Sequence, residues 1–252
     1  MPMIECSHLS TGYGKYTILE DLSVTFEKGK LTGIVGVNGC GKSTLLKTIL
    51  GILPATSGEI LLDGTPLSAM SRPQISQKLA YLAQGKGIPD MTVFQMVLHG
   101  RFPHLHYPQT YSDHDRELAR QALERVGIPH LAEESLTKLS GGMRQTAHIA
   151  MALAQNTDYI LLDEPTTFLD VGHQLALLTL LRSLAQEGKG ILAVMHDLPL
   201  AFAYSDEIVL MDGKRVIAKT APAALASSPL LRETFGVTLR HLTKENRYFI
   251  ET

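Results

Sequence analysis

Gly36-Val37-Asn38-Gly39-Cys40-Gly41-Lys42-Ser43-Thr44 decides how this chain folds. It fits the pattern G-x-x-x-x-G-K-[ST], with Gly36, Gly41, Lys42 and Ser43 on the fixed positions. The short apolar run 31–35 before it reads as a buried strand. Residues 45–50 after it, closed by Gly51, read as a helix. Strand, glycine loop and helix together form a phosphate cradle. Glycines let the backbone bend so that successive N–H groups face one anion, and the helix N-terminus adds partial positive charge there. In such a loop Lys42 brings a full charge to the β- and γ-phosphates, and the Ser43 hydroxyl can ligate Mg²⁺.

Two further stretches carry chemistry. Tyr159-Ile-Leu-Leu-Asp163-Glu164 is an apolar strand ending in two acids. Asp163 can hold Mg²⁺ opposite Ser43, and Glu164 can polarise a water that attacks a γ-phosphate. Leu139-Ser140-Gly141-Gly142-Met143-Arg144-Gln145 opens a helix with a glycine pair. It reads either as an ordinary N-cap on Ser140 or as a second anion site.

Around these motifs the chain alternates strands and helices. Strands are expected over 4–9, 23–26, 60–62, 79–83, 159–162, 191–195, 208–211, 215–218 and 247–250. Gly12-Tyr13-Gly14 and Asp212-Gly213 read as turns. Helices are expected after Pro73, over 142–154 and 171–186, and in short pieces near Ala223 and Leu230. This alternation implies a mainly parallel sheet covered on both faces. Between 85 and 137 the β-like runs vanish. Thr92 caps a helix through Leu98, and Ser112 or Asp113 caps another through Val126, so this stretch reads as an inserted helical subdomain.

The bulk numbers narrow the function classes. The 252 residues are 44% apolar and 19% charged, with a net charge of −2, which suits a globular protein and disfavours a nucleic-acid surface. Two cysteines, Cys6 and Cys40, give no disulfide framework and fit a reducing, cytoplasmic setting. The first residues do not read as a signal peptide, and no run approaches 18 apolar residues.

With these motifs in order, the chain resembles the ATP-binding subunits of ABC transporters. Residues 36–43 match the Walker A loop, 160–163 Walker B, and 139–145 the LSGGxxQ signature. Gln84 falls at the Q-loop glutamine, 167–170 at the D-loop and His196 at the switch histidine. Tyr13 matches the aromatic that stacks on adenine. The resemblance covers about residues 1–240. Near the signature it departs at Met143 and Thr146, neither of which is a phosphate ligand in the family pattern.

The resemblance implies an α/β P-loop NTPase core with an N-terminal antiparallel β subdomain. It makes 1–252 a single ABC ATPase domain, with core segments 1–84 and 138–252 and the helical subdomain 85–137 inserted. Its implied ATP ligands are Tyr13, Gly36, Asn38, Gly39, Cys40, Gly41, Lys42, Ser43, Thr44, Ser140, Gly141, Gly142 and Asp170. Ser43, Gln84 and Asp163 would hold Mg²⁺, and Glu164, His196, Lys42 and Gln84 would act in hydrolysis. The implied partners are a second copy in an ATP sandwich, an integral membrane permease and, indirectly, an extracytoplasmic binding protein. No nucleic acid is implied, and the place of work is the cytoplasmic face of the membrane.

The segments 100–104, 149–155 and 164–170, with Gln174 following, are similar to the siderophore branch of type II importers. Met151 weighs against the cobalamin and haem branches, which stay open as alternatives. So does a soluble ATPase of iron–sulfur-cluster assembly. His99, His104 and His106 read as a loop or interface, with a metal site as the alternative. Met91, Met96 and Val97 read equally as core or as a docking face. Cys6 reads as a buried small hydrophobe. Cys40, inside the phosphate loop, is expected to be open to thiol reagents.

Overall fold

The computed structural model of the chain describes residues 3–83, 89–242 and 246–251. In chain order the strands are β1 (Met3–Tyr13), β2 (Tyr16–Glu27), β3 (Leu31–Gly36), β4 (Ala55–Leu62), β5 (Thr65–Pro66), β6 (Leu79–Leu82), β7 (Tyr159–Asp163), β8 (Gly190–Val194), β9 (Glu207–Asp212), β10 (Arg215–Thr220), β11 (Thr238–Leu242) and β12 (Arg247–Glu251). The helices are α1 (Lys42–Ile49), α2 (Arg72–Lys78), α3 (Val93–His99), α4 (Asp113–Arg125), α5 (Gly141–Ala154), α6 (Val171–Gln186), α7 (Leu198–Tyr204), α8 (Pro222–Ala226) and α9 (Leu230–Phe235).

β3, β7 and β8 are buried along their whole length, which explains their continuous apolar runs. They lie at the centre of a sheet ordered β10-β9-β3-β8-β7-β6, parallel except for β10. Alternate residues of each strand serve opposite faces. Ile160, Leu162, Ile191, Ala193, Ile208 and Leu210 pack with Leu178, Leu181 and Phe202 of α6 and α7. Leu161, Leu192, Val194, Val209 and Met211 face the other way, onto Leu45, Leu46 and Ile49 of α1 and the apolar side of the antiparallel sheet β2-β1-β4-β5. α1 is thus held from two sides directly behind the glycine loop. This α/β core, with its antiparallel N-terminal sheet and helical subdomain, is the architecture expected.

A third cluster joins α3, α4 and α5 through Val93, Met96, Val97, Ala119, Leu123, Ala147 and Ala150. Met96 and Val97 are 3% and 0% exposed, so they are core and cannot be a docking face. α3 and α4 each begin with a reciprocal capping box, Thr92 with Gln95 and Ser112 with Asp115. Asp115 also receives the Arg101 guanidinium, Nε to Oδ1 at 2.9 Å. Burial works to raise the Asp115 carboxyl, but the Ser112 hydroxyl and Arg101 outweigh it and bring it down to about 2. A carboxyl lowered on folding stabilises fully above its unfolded value of about 3.9 and loses that contribution as the pH falls toward the folded value. Asp115→Asn is therefore expected to cost roughly 2 kcal/mol at pH 7 and progressively less below pH ~4. Urea unfolding of both proteins at pH 7 and pH 3 checks this; an undiminished gap at pH 3 contradicts it.

Several local expectations need correction. Tyr13 is the last residue of β1, paired with Tyr16, and the turn is made by Gly14 (φ 58°) and Lys15. The lack of a Cβ at Gly12 lets the Tyr16 carbonyl pass where that atom would stand. β2 starts at Tyr16 instead of residue 23, because Tyr16, Thr17 and Ile18 suit an extended pair. The β9–β10 turn is Gly213-Lys214, both with positive φ, and Asp212 still pairs with Arg215. α7 and β11 were not anticipated. Asp197 caps α7 through the Leu200 amide, and β11 is secured by pairing with β12. Cys6 is 2% exposed, a small core hydrophobe whose thiol burial pushes up to about 12.

Candidate functional site

The glycine loop runs from the end of β3 to the start of α1. A Cβ on Gly36 would stand 2.2 Å from the Met211 carbonyl oxygen and 2.8 Å from Cys40 Sγ, so only glycine permits the turn. Gly39 and Gly41 take φ of 79° and 104°. Gly41 is the N-cap of α1, with no side-chain cap and no acidic residue in the first turn. The helix thus presents its amide end uncovered to the cleft. Lys42 is 6% exposed, and its Nζ donates to the Gly36 and Val37 carbonyls at 2.8 and 3.0 Å.

β7 delivers the acids from the neighbouring part of the sheet. The Ser43 hydroxyl donates to Asp163 Oδ1 at 2.8 Å. A hydroxyl and a carboxylate converging on one point beside a phosphate cradle are hard oxygen donors that fit Mg²⁺. On the other side of the carboxylate the Tyr81 hydroxyl stands 3.4 Å from Oδ2. Burial first, and then the Asp163 charge, raises the Tyr81 phenol. Sequence reasoning missed Tyr81; the signal was a single phenol in the apolar run 79–83.

Glu164 follows with φ 54°, a left-handed conformation that turns the chain sharply out of the sheet. Its Oε1 lies 2.5 Å from His196 Nε2, with the imidazole N–H donating to the carboxylate. β7 and β8 lie side by side, Asp163 opposite Val194, so the residues just beyond their ends share one edge. Glu164, His196, Asn38, Gly39, Gly41, Lys42, Ser43 and Thr44 line one cleft of about 520 Å³, with Ile18 of β2 closing one side. Ile18 was also missed; nothing in its local pattern separates it from other strand residues.

The remaining expected residues lie elsewhere. Tyr13 is half exposed at the end of β1. Ser140 caps α5, accepting from the Met143 amide, so the ordinary N-cap describes it in this structure. Gly141 and Gly142 sit against Phe168 and Leu169. Asp170 caps α6; the His173 amide and ring hold its carboxyl below the usual range. Among the described residues, none of these five lines the cleft. Gln84 lies outside the described residues. Two glutamines that sequence reasoning gave no role hold the segment between Glu164 and Asp170. Gln145 donates to the Pro165 carbonyl and Gln174 to those of Thr166 and Leu169.

Cys40 corrects an expectation. It is 6% exposed, folded under the loop against Gly36, and burial raises its thiol more strongly than Lys42 lowers it. A buried, protonated thiol is a poor nucleophile. Maleimide is therefore expected to label Cys40 slowly in the native protein, with or without ATP, and quickly after unfolding. Intact-mass spectrometry over time measures this, and fast native labelling contradicts the burial. Two of the histidines in the 99–106 segment serve as hydrogen-bond partners: His99 meets the Tyr111 hydroxyl and His104 the Gln155 carbonyl.

The family profile described as ABC transporter matches residues 19–167. The chain is 42% identical to the petrobactin import ATP-binding protein FpuD of Bacillus anthracis, over 92% of this chain and 86% of that one. It is 40% identical to the hemin import ATP-binding protein HmuV of Hahella chejuensis, over 95% of each. Among solved structures, an inward-facing conformation described as that of a metal-chelate type ABC transporter superposes with a TM-score of 0.83. The identity there is 28%, and the match covers 100% of this chain and 96% of that one.

Proposed function

The chain belongs to the family of ABC transporter ATP-binding subunits, and from that premise we propose that it hydrolyses ATP as a homodimer to drive uptake of an iron chelate, a ferric siderophore first, through a membrane permease. The observation that carries the cargo reading is the near full-length likeness to an ATPase named for petrobactin import. The 40% likeness to a hemin import ATPase keeps haem as the second reading.

In this reading the loop amides, Asn38, Thr44 and Lys42 hold the phosphates of ATP, and Tyr13 stacks on the adenine. Mg²⁺, held by Ser43 and Asp163 with Gln84, would offset charge on the β- and γ-phosphates. Glu164 takes a proton from the attacking water. His196 leaves its contact with Glu164 to reach the γ-phosphate. Ser140, Gly141, Gly142 and Asp170 stand outside their own chain's cleft, which supports their delivery by a second copy across a two-fold axis. ATP then completes both sites at once, and hydrolysis reopens the pair. Segments 1–84 and 138–252 form the hydrolytic core, and 85–137 meets the permease at the cytoplasmic face. No helix among the described residues is long and apolar enough to cross a membrane.

Uptake of labelled ferric siderophore, haem and cobalamin by proteoliposomes containing the whole complex tests this. Iron-chelate uptake abolished by Lys42→Ala is the expected result. Transport of haem or cobalamin alone overturns the cargo, and a complex that takes up none of the three with ATP overturns the importer role.

A further inference from the structure

The Arg101 side chain is 7% exposed, although it lies in a polar segment after α3 that reads as solvated. Its Nε is paired with Asp115 of α4, while its Nη1 donates to the carbonyls of Ala154 and Gln155 at 3.1 Å each. Those carbonyls end α5, at the negative pole of that helix. His104 Nε2 adds a hydrogen bond of 2.8 Å to the Gln155 carbonyl. Gly100 lies so close that a Cβ there would stand 2.2 Å from the Met151 carbonyl oxygen. Gln155 in turn donates to the Leu79 carbonyl at the start of β6, and Gln77 of α2 donates to the Pro103 carbonyl. Segment 100–104 is therefore clamped to the last turn of α5 and tied to the edge of the central sheet.

We infer that Arg101 is a positioning residue: it fixes the C-terminal end of α5 so that the turn 140–142 at the other end stands in register for a second copy's nucleotide. This rests on the ATP-sandwich reading above. α5 has 14 residues and is about 20 Å long, a stiff rod gripped along its side by α3 and α4. A rod held at its side and at one end has its other end fixed; released at the end, it tilts. Lysine keeps the charge opposite Asp115 but has no planar fork to reach Asp115 and both carbonyls together. The clamp also carries the outward-facing Phe102, 53% exposed, so a push on that side chain reaches the signature turn through Arg101 and α5.

The test places Arg101→Lys, and separately His104→Phe, in the full chain carrying Glu164→Gln. ATP-dependent dimerisation is followed by sedimentation, nucleotide affinity by titration of the monomer, and amide exchange at residues 141–143 by mass spectrometry. Dimerisation weakened about tenfold, with nucleotide affinity unchanged and exchange faster at 141–143, is the expected result. A merely local role would confine the exchange change to residues 150–155 and leave dimerisation as in the parent; that result overturns the inference. If Arg101→Lys does not fold, His104→Phe carries the same readouts with the Arg101–Asp115 pair intact. A parent that binds ATP yet stays monomeric overturns the sandwich and the inference together. A dimerising parent with unaffected variants overturns the inference alone.

Discussion

Glu164→Gln is expected to lower ATP turnover by about 10²–10⁴-fold while leaving ATP binding intact. The chain leaves β7 at Asp163 and turns through the left-handed conformation of Glu164, which puts that carboxylate on the cleft wall facing Lys42 and Ser43. Glutamine has the same length and shape, so it fills the same space and can still hold a water. Its amide cannot take the proton that the water must lose as it attacks. His196, bonded here to Oε1, is no substitute in the proposed cycle, where it leaves that contact for the γ-phosphate. With the chemical step blocked and binding intact, the ATP-bound pair accumulates, and sedimentation with ATP and Mg²⁺ should show a dimer. A variant that releases phosphate at the wild-type rate removes Glu164 from the role of base.

How much of this was legible in the sequence depends on how local each feature is. The phosphate loop and the strand ending in two acids are contiguous patterns whose chemistry and geometry coincide, so they can be read directly. The caps of α3 and α4 follow from Thr92 and Ser112 for the same reason, whereas the Asp170 cap of α6 emerged only in the structure. The contact between His196 and Glu164 is different. It exists because β7 and β8 are neighbours, and a sheet's strand order is not written in either strand. Arg101 shows the same limit. An arginine among Pro, His and Tyr reads as solvated, and only Asp115 on the following helix and the free end of α5 make it internal. Cys40 was misjudged because its burial comes from the tight turn at Gly36, where the glycine's missing side chain leaves room for the thiol. Tyr13 was assigned to a turn because two glycines flank it. One of those glycines makes the turn, and the other lets the strands approach.

Lys42→Ala should also be severe, but with a different signature. In this structure the Lys42 ammonium is held across the loop by two neutral acceptors, the Gly36 and Val37 carbonyls. A phosphate oxygen is a stronger, charged acceptor, so nucleotide is expected to draw the ammonium away from these carbonyls. Alanine removes that charge from both the bound nucleotide and the transferring phosphoryl group. Turnover is expected to fall by about 10²–10³-fold, and ATP affinity should fall with it, unlike in Glu164→Gln. The loop itself also loses an internal brace. Residue 36 is buried, and its carbonyl, left without the ammonium, costs about 1–3 kcal/mol unless water reaches it. A modest drop in thermal stability should therefore accompany the loss of activity, and saturating ATP should restore less of it than in the wild type. Arginine is not expected to rescue, because its wider planar fork does not fit between two carbonyls that a single ammonium spans. Nucleotide titration, phosphate release and thermal unfolding of Lys42→Ala and Lys42→Arg together test the assignment. Wild-type affinity with slow turnover would confine Lys42 to the transition state. Wild-type turnover would remove it from the chemistry altogether.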